Sequence, residues 1–314
     1  MKALSPFLIA IVFPFLLCAQ DNLLDKYNID NQQFKFYKKL NEKENRLIEF
    51  KDSDQHLILK IAMLNLINKN RKKHNRPSLK LDVHACRSAN KTARMSAENE
   101  YTGHWDIEGK KPYHRYGLDG GIDHVSENAS STWSSAKIDL SLDNMYRMMK
   151  ESHMSMYKER PPNDGHRQTI LEPNHNFVGL GIGGSEKYFS YYEEFINRYL
   201  PLNELKVKGK NIQLQFKVPS GYFLVGINLS HDMPFKPMTP RRLNAKGSYL
   251  DQGKKSNFIW DDDIMYKNGK YTYSFKKSKN EITYIQVLIS KNKPKPNKKT
   301  TKKSFSVTGH IVVK

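Results

Sequence analysis

Small residues repeat in two parts of this chain, and each repeat predicts that another helix or strand packs closely against it. The first repeat predicts a helix that begins after Asp82, a residue type suited to capping a helix N-terminus. Its four-residue spacing predicts a narrow stripe that can pack tightly against another element. The second repeat, over 177–183, alternates apolar residues with glycine and predicts a strand that something approaches closely. The helical stripe consists of Ala85, Ala89, Ala93 and Ala97.

Helical and strand patterns are interleaved over 53–200. Apolar residues at helical spacing predict helices over 57–69 and 141–156, and a further strand is predicted over 188–196. Glycine and proline punctuate 103–125, which predicts a long loop. A polar lead-in segment, 20–52, precedes this region. We therefore expect an α+β domain over 53–200.

The composition changes after Pro201 to a pattern of short strands. Apolar and polar residues alternate over 212–218, which is typical of a half-buried strand. Further strands are predicted over 222–229, 271–275, 283–289 and 304–313. Asn268-Gly269 is a strong hairpin-turn signal. These patterns predict a smaller all-β, sandwich-like domain of unknown type over 205–314.

The N-terminus has the features of a secretory signal peptide. Lys2 precedes an apolar run over 7–17 that is too short to span a membrane, and cleavage is expected after Ala19. Two minor alternatives are lipid attachment at Cys18, which the bulky Leu17 before it disfavours, and an uncleaved anchor. After cleavage Cys86 is the only cysteine left, so the mature chain has no internal disulfide. A secreted chain of this kind is more typical of bacteria than of animals.

The chain is strongly basic, with 52 Lys and Arg against 32 Asp and Glu and a formal net charge of +20. Such a charge favours anionic partners, such as a lipid or membrane surface or an acidic polysaccharide. The competing interpretation is that the positive charge serves only to keep the protein soluble. The lysine-rich segment 291–303 is expected to form a basic loop between the last two strands. Asp261-Asp262-Asp263 is interpreted as an ordinary acidic loop rather than as a calcium site, because the residues around it lack the spacing of an EF-hand.

Two histidines and two glutamates are the candidate site residues. His104 and His166 each follow a glycine at the end of a predicted loop, while Glu127 and Glu151 lie beside a helix start or on a helix. If the fold brings the four together, the imidazole nitrogens could bind a divalent cation such as Zn²⁺, with the carboxylates as further ligands or proton acceptors. The sequence thus predicts His104 and His166 as metal ligands.

The order of these motifs resembles the CAP superfamily, which includes cysteine-rich secretory proteins, antigen 5 and pathogenesis-related 1 proteins. An alanine-rich helix is followed by Gly-His-Trp, Glu-Asn, a helix and Gly-His-Arg, over residues 55–197. The resemblance implies an α-β-α sandwich whose central cleft holds the four candidate residues. In the helix, Met148 stands three positions before Glu151, where the family usually has an aromatic residue. The family disulfides are missing, as in bacterial members.

Two classes of function follow from this resemblance. The first is a secreted protein that acts by binding a lipid, a metal or an anionic extracellular ligand. The alternative is a metal-dependent hydrolase of peptidase type that uses the same cluster. Against it, the chain has no His-Glu-x-x-His helix and no Gly-x-Ser-x-Gly elbow, and two histidines fall short of the three protein ligands usual at catalytic zinc. Nucleic acid is not expected as a partner, because the lysine-rich segment lacks interleaved aromatic residues.

A basic loop that docks the protein to an anionic surface can be tested by substitution. Replacing Lys293, Lys295, Lys298 and Lys299 with serine should lower the salt concentration at which the protein elutes from a heparin column. The physical reason is that salt screens such contacts over a Debye length of about 10 Å at 0.1 M. Four lysines of the 20–52 segment replaced in the same way serve as the control. Unchanged elution of the first variant would place the interaction elsewhere.

Overall fold

The computed structural model describes residues 22–249, 255–278, 280–294 and 303–313. The predicted signal peptide over 1–19, with Cys18, lies outside these ranges, as does most of the predicted basic loop. Within the described ranges, none of the helices is long and apolar enough to cross a bilayer. The helices are α1 (22–26), α2 (Asn31–Lys43), α3 (Asp54–Lys72), α4 (Val83–Glu98), α5 (Pro112–Leu118), α6 (Leu142–Tyr157), α7 (Gly165–Leu171) and α8 (Pro240–Asn244).

The strands form three sheets, and the first belongs to the α+β part of the chain. It has the order β1-β3-β4-β2, with β1 parallel to β3 and the other pairs antiparallel. Because β2 is at its edge, residues of that strand can face a surface cleft. The strands are β1 (Lys80–Leu81), β2 (His124–Trp133), β3 (Phe177–Gly184) and β4 (Tyr188–Asn197).

The two small-residue repeats pack against each other. A Cβ atom added at Gly179, Gly181 or Gly183 would lie 2.3–2.5 Å from backbone atoms of α4 at its alanine stripe. The glycines therefore let the helix rest directly on strand β3. Asp82 begins the helix as predicted, since its side chain accepts the Ala85 N–H at 3.0 Å.

The opposite face of the sheet carries the larger hydrophobic core. Val178, Leu180 and Ile182 point to that face and are buried among apolar residues of α3 and α6. The fold is thus the predicted α-β-α sandwich. The lead-in segment also contributes, because Phe34 and Tyr37 of α2 are buried in the same core.

Two expectations about local structure were wrong. The 103–125 segment is not simply a loop, because it contains helix α5 and the start of strand β2. Glu127 does not lie beside a helix start either, since it is within β2 and pairs in register with Glu194 of β4. Polar residues dominate β2, so its sequence carries no apolar alternation to indicate a strand.

The C-terminal part is a two-sheet sandwich, as expected. One sheet has the order β5-β6-β10-β9 and the other β12-β11-β7-β8, with β13 also paired to β11. Apolar residues of β6, β7, β8 and β11 form one shared core. The strands are β5 (Leu202–Lys208), β6 (Asn211–Lys217), β7 (Phe223–Asp232), β8 (Lys255–Trp260), β9 (Met265–Lys267), β10 (Lys270–Lys276), β11 (Ile282–Ser290), β12 (Phe305–Ser306) and β13 (His310–Val312).

The predicted turn at Asn268-Gly269 is confirmed. Both residues have positive φ angles, 52° and 73°, and they join β9 to β10. Sequence patterns missed β5, β8 and β9, which lie at or near sheet edges and bury few side chains. Residues Asp261–Asp263 form a short 3-10 turn.

The sandwich contacts the α+β part through buried polar groups and stacked rings. Tyr113 of α5 stacks on Tyr284 of β11, with ring centroids 4.2 Å apart. The Tyr113 hydroxyl donates to Asp232 of β7 at 2.9 Å, and the Lys111 ammonium lies 3.2 Å from the same carboxylate. Desolvation alone would raise the pKa of Asp232, but His114 and Lys111 outweigh it and lower this pKa to about 2. These contacts fix one sheet of the sandwich beside β2.

The close approach of α4 to β3 gives a stability prediction. The Gly181→Ala variant should lower the free energy of unfolding by about 1–3 kcal/mol or more, because its methyl group would meet Ala89 backbone atoms at 2.3 Å. Gly247→Ala is the matched control, since nothing lies within 4 Å of the position of its Cβ. Urea unfolding of both variants measures the difference. Equal stability would show that α4 can move away from the strand at little cost.

Candidate functional site

His104 is held at the edge of the sheet by two neighbours. Its Nδ1 lies 3.0 Å from Oε1 of Glu127, and its backbone carbonyl accepts a hydrogen bond from Arg115 at 2.6 Å. Gly103 precedes it with φ of 134°, a conformation that favours glycine. The histidine side chain is 13% exposed, so it is accessible but well ordered by its contacts.

Glu127 is the buried anchor of this arrangement. One carboxylate oxygen contacts His104, and the other forms an ion pair with the guanidinium of Arg115. Burial alone would lower the pKa of Arg115, but Glu127 and Asp106 raise it by more, so the guanidinium stays charged. The Glu127 side chain is fully buried, and such a group is stable only when its charge is compensated.

His166 is held in the same way by a different carboxylate. Its Nδ1 lies 2.6 Å from Oε1 of Glu159, and its backbone N–H donates to Oε2 at 3.1 Å. The ring of His166 is 35% exposed. Its ring centroid is 6.2 Å from that of His104, so the structure brings the two histidines together.

The prediction that Glu151 joins this cluster is wrong. Its side chain is 60% exposed and pairs with Arg147 one turn earlier on the outer face of α6. The buried residues of α6 include Met148 and Ser152, and Glu151 lies outside the buried face that they share with Met149. Glu159, just beyond the helix, supplies the carboxylate instead.

The sequence analysis missed three residues of the site: Arg115, Glu159 and Tyr249. Glu159 is seven residues before His166, across the turn at 161–165, and this short separation was a usable signal. Tyr249 comes from the C-terminal part and packs against His104, with ring centroids 4.8 Å apart. Its hydroxyl accepts the Glu127 N–H at 2.8 Å. Nothing in the local sequence indicates this long-range contact.

A buried polar network lies behind the site. The Glu193 carboxylate contacts His153 Nδ1 at 2.7 Å, and accepts hydrogen bonds from the Tyr191 hydroxyl at 3.0 Å and from Asn128 at 3.2 Å. The same Asn128 amide donates to the backbone carbonyl of His166 at 3.2 Å. This network links β2, β4, α6 and α7, and thereby positions His166.

The free nitrogen atoms determine what the site can bind. Each Nδ1 is engaged by a carboxylate, and no hydrogen bond within the described part of the chain uses Nε2 of His104 or His166. Carboxylate–histidine contacts of this kind orient imidazoles that ligate metals. The two histidines therefore suit a cation with two protein ligands, although the described ranges contain no group of three or more His, Cys, Asp or Glu arranged to hold a metal.

Cys86 takes no part in this site. It is buried, and its sulfur accepts the backbone N–H of Leu180 at 3.3 Å. Burial raises the pKa of its thiol to about 12, so it is protonated and unreactive at neutral pH.

Residues 64–195 match the model of the CAP family, described as the cysteine-rich secretory protein family. This part of the chain is therefore a CAP domain. No curated protein matches the chain.

Two solved structures are similar to part of the chain. One is an outer surface protein from Borrelia burgdorferi, at 17% identity and a TM-score of 0.34, covering 45% of this chain and 92% of that one. The other is an extracellular protein containing an SCP domain from Bacillus anthracis, at 21% identity and a TM-score of 0.33. It covers 45% of this chain and 43% of that protein.

Glu194 beside the site gives a pH-dependent stability prediction. Its carboxyl is fully buried, and neither oxygen has a hydrogen-bond partner among the described residues. Desolvation, with a further contribution from Glu127, raises its pKa well above the usual range. The folded protein thus binds a proton that the unfolded chain releases, and stability falls as pH rises above the unfolded pKa.

The Glu194→Gln variant should therefore be more stable than the parent at about pH 7.5, by more than about 1 kcal/mol. Near about pH 4 the advantage should disappear, because both states of the parent are then largely protonated. Thermal unfolding across this range measures the effect, and the exposed Glu98→Gln is the control. A pH-independent difference would contradict a neutral Glu194.

Proposed function

We propose that this chain is an extracellular binding protein whose CAP cleft takes a divalent cation between His104 and His166. The observation that carries the proposal is the paired histidine arrangement. Both rings have Nδ1 fixed by a carboxylate, and their centroids lie 6.2 Å apart. Each ring retains an Nε2 that no hydrogen bond among the described residues uses. Neutral imidazole nitrogen is a common ligand of Zn²⁺.

Binding is favoured over hydrolysis by the state of the two carboxylates. A hydrolase of the proposed type needs a carboxylate that can accept a proton from water. Glu127 is held by Arg115 and His104, while Glu159 accepts two hydrogen bonds from His166. With two imidazole ligands, the cleft is also one short of the three protein ligands usual at catalytic zinc.

The extracellular location and an anionic partner rest on the sequence. The predicted signal peptide supports secretion, and the net charge of +20 supports attraction to an anionic polysaccharide or membrane surface. A lipid ligand has one supporting feature, an apolar cavity of about 610 Å³ that includes Met233, Phe235 and Ile282.

A zinc titration tests the cation site. Calorimetry on the parent should give one binding event that weakens at acidic pH, because protons compete for the imidazole nitrogens. The His104→Ala and His166→Ala variants should each lose at least about tenfold in affinity, or about 1.4 kcal/mol. His231→Ala, in the β-sandwich, should bind like the parent.

Equal zinc affinity in the parent and in both cleft variants would overturn the proposed site. Peptide hydrolysis by the zinc-loaded parent that disappears in the His104→Ala variant would instead favour the enzyme. Circular dichroism of each variant confirms that the fold is intact before titration.

A further inference from the structure

A second cavity lies between the CAP domain and the β-sandwich, next to the histidine cleft. Its volume is about 650 Å³, which is in the range of pockets that bury small ligands. One wall comes from β2 and α7, including Ser126 and Gly165, the neighbours of Glu127 and His166. The other wall is the outer face of the β12-β11-β7-β8 sheet.

The lining of this cavity is polar but almost uncharged. Among the described residues no lysine or arginine lines it, and Glu172 is its one carboxylate, although the whole chain carries 52 Lys and Arg. His175 is also part of the lining, and burial lowers its pKa to about 3, so the ring is neutral. An anionic ligand would find no lysine or arginine among the described lining residues, and a lipid chain would meet mainly hydrogen-bonding groups.

Two amide side chains present a donor and an acceptor to the cavity. Asn228 and Gln286 are opposite each other on β7 and β11, and each is 6% exposed. The Asn228 amide donates to Gln286 Oε1 at 3.0 Å and to Ser230 Oγ at 3.1 Å. No hydrogen bond within the described ranges uses Asn228 Oδ1 or Gln286 Nε2. One acceptor and one donor are therefore held side by side, where neighbouring hydroxyl groups of a ligand could satisfy both.

Two aromatic residues belong to the lining of the cavity. Phe258 of β8 is in register with Asn228, and Phe305 of β12 lies at another part of the lining. Both rings are half-buried, so part of each is accessible. An aromatic face offers apolar contact to the C–H groups of a ring whose hydroxyls bind elsewhere.

From this combination we propose that the inter-domain cavity binds a neutral saccharide. The amides of Asn228 and Gln286 provide hydrogen bonds to hydroxyl groups, and Phe258 and Phe305 provide apolar contact for the sugar ring. The absence of basic residues among the described lining disfavours acidic sugars. The site is separate from the histidine cleft and does not depend on a cation there. The two cavities share only neighbouring residues of β2 and α7.

The test uses the full mature chain and a panel of soluble oligosaccharides. Neutral probes are tetrasaccharides of glucose and of N-acetylglucosamine in different linkages, and oligogalacturonate is the acidic probe. Calorimetry should detect at least one neutral probe with an affinity that changes little between low and high salt, because no ion pairs form. The acidic probe should show no salt-resistant binding.

Substitutions assign any binding to the cavity. Asn228→Ala and Gln286→Ala should each weaken neutral saccharide binding by about tenfold. Asn257→Ala is the matched control, since this exposed residue lies between Ser256 and Phe258 on β8 and faces away from the cavity. The control should bind like the parent, and all three variants should unfold at similar temperatures.

Several outcomes would overturn the proposal. They are the failure of every neutral probe to bind, equal binding by the parent and both cavity variants, or binding restricted to the acidic probe. Zinc titration separates this result from the cleft proposal. The cavity variants should bind zinc normally, and the His104→Ala variant should retain saccharide binding.

Discussion

The direct contact between α4 and β3 is the constraint on which the rest of the CAP domain depends. Gly179 and Gly181 allow the helix backbone to approach the strand to distances that any side chain would prevent. This contact fixes the sheet against one helix layer, while the apolar face of β3 packs against α3 and α6. Strand β2 is then left at the edge of the sheet, where Glu127 can face the cleft.

Buried cations hold the loops around this layered core. The Arg87 guanidinium donates to backbone carbonyls of Asn41, Glu44 and Arg46, and Arg71 does the same for the segment around Ile170 and Glu172. Cys86 is the one cysteine in the described ranges and it is free, so no disulfide performs this role there. Part of the positive charge of the chain therefore stabilises the fold through hydrogen bonds to backbone carbonyls.

The two proposed binding sites both depend on contacts between the CAP domain and the sandwich. Tyr249 crosses from the C-terminal part to pack on His104, and the stacked Tyr113 and Tyr284 fix the sheet beside β2. The inter-domain cavity exists because the polar face of that sheet, with Asn228 and Gln286, is turned toward the CAP domain. The apolar face of the same sheet packs in the sandwich core. The alternation of polar and apolar residues along β7 and β11 therefore forms both the cavity wall and the core.

The sequence by itself determined the elements with strong periodicity, and it singled out the two histidines whose rings the structure brings close together. The alanine stripe, the glycine alternation of β3 and the Asn268-Gly269 turn act through short-range geometry, which local sequence encodes. His104 and His166 were recognisable because each follows a glycine within an ordered series of motifs. The α+β class followed from the same local patterns.

Only the tertiary structure decided which carboxylates meet those histidines. Glu151 lies within α6 and Glu159 lies just beyond its end. The direction of the first side chain depends on the helix phase, and that of the second depends on the turn that follows. Strand β2 was hidden because its polar residues are buried by pairing with β4 and by Arg115, a long-range partner that periodicity does not reveal. Tyr249, Asn228 and Gln286 reach their sites through packing between domains, and contacts between distant segments leave no local pattern in the chain.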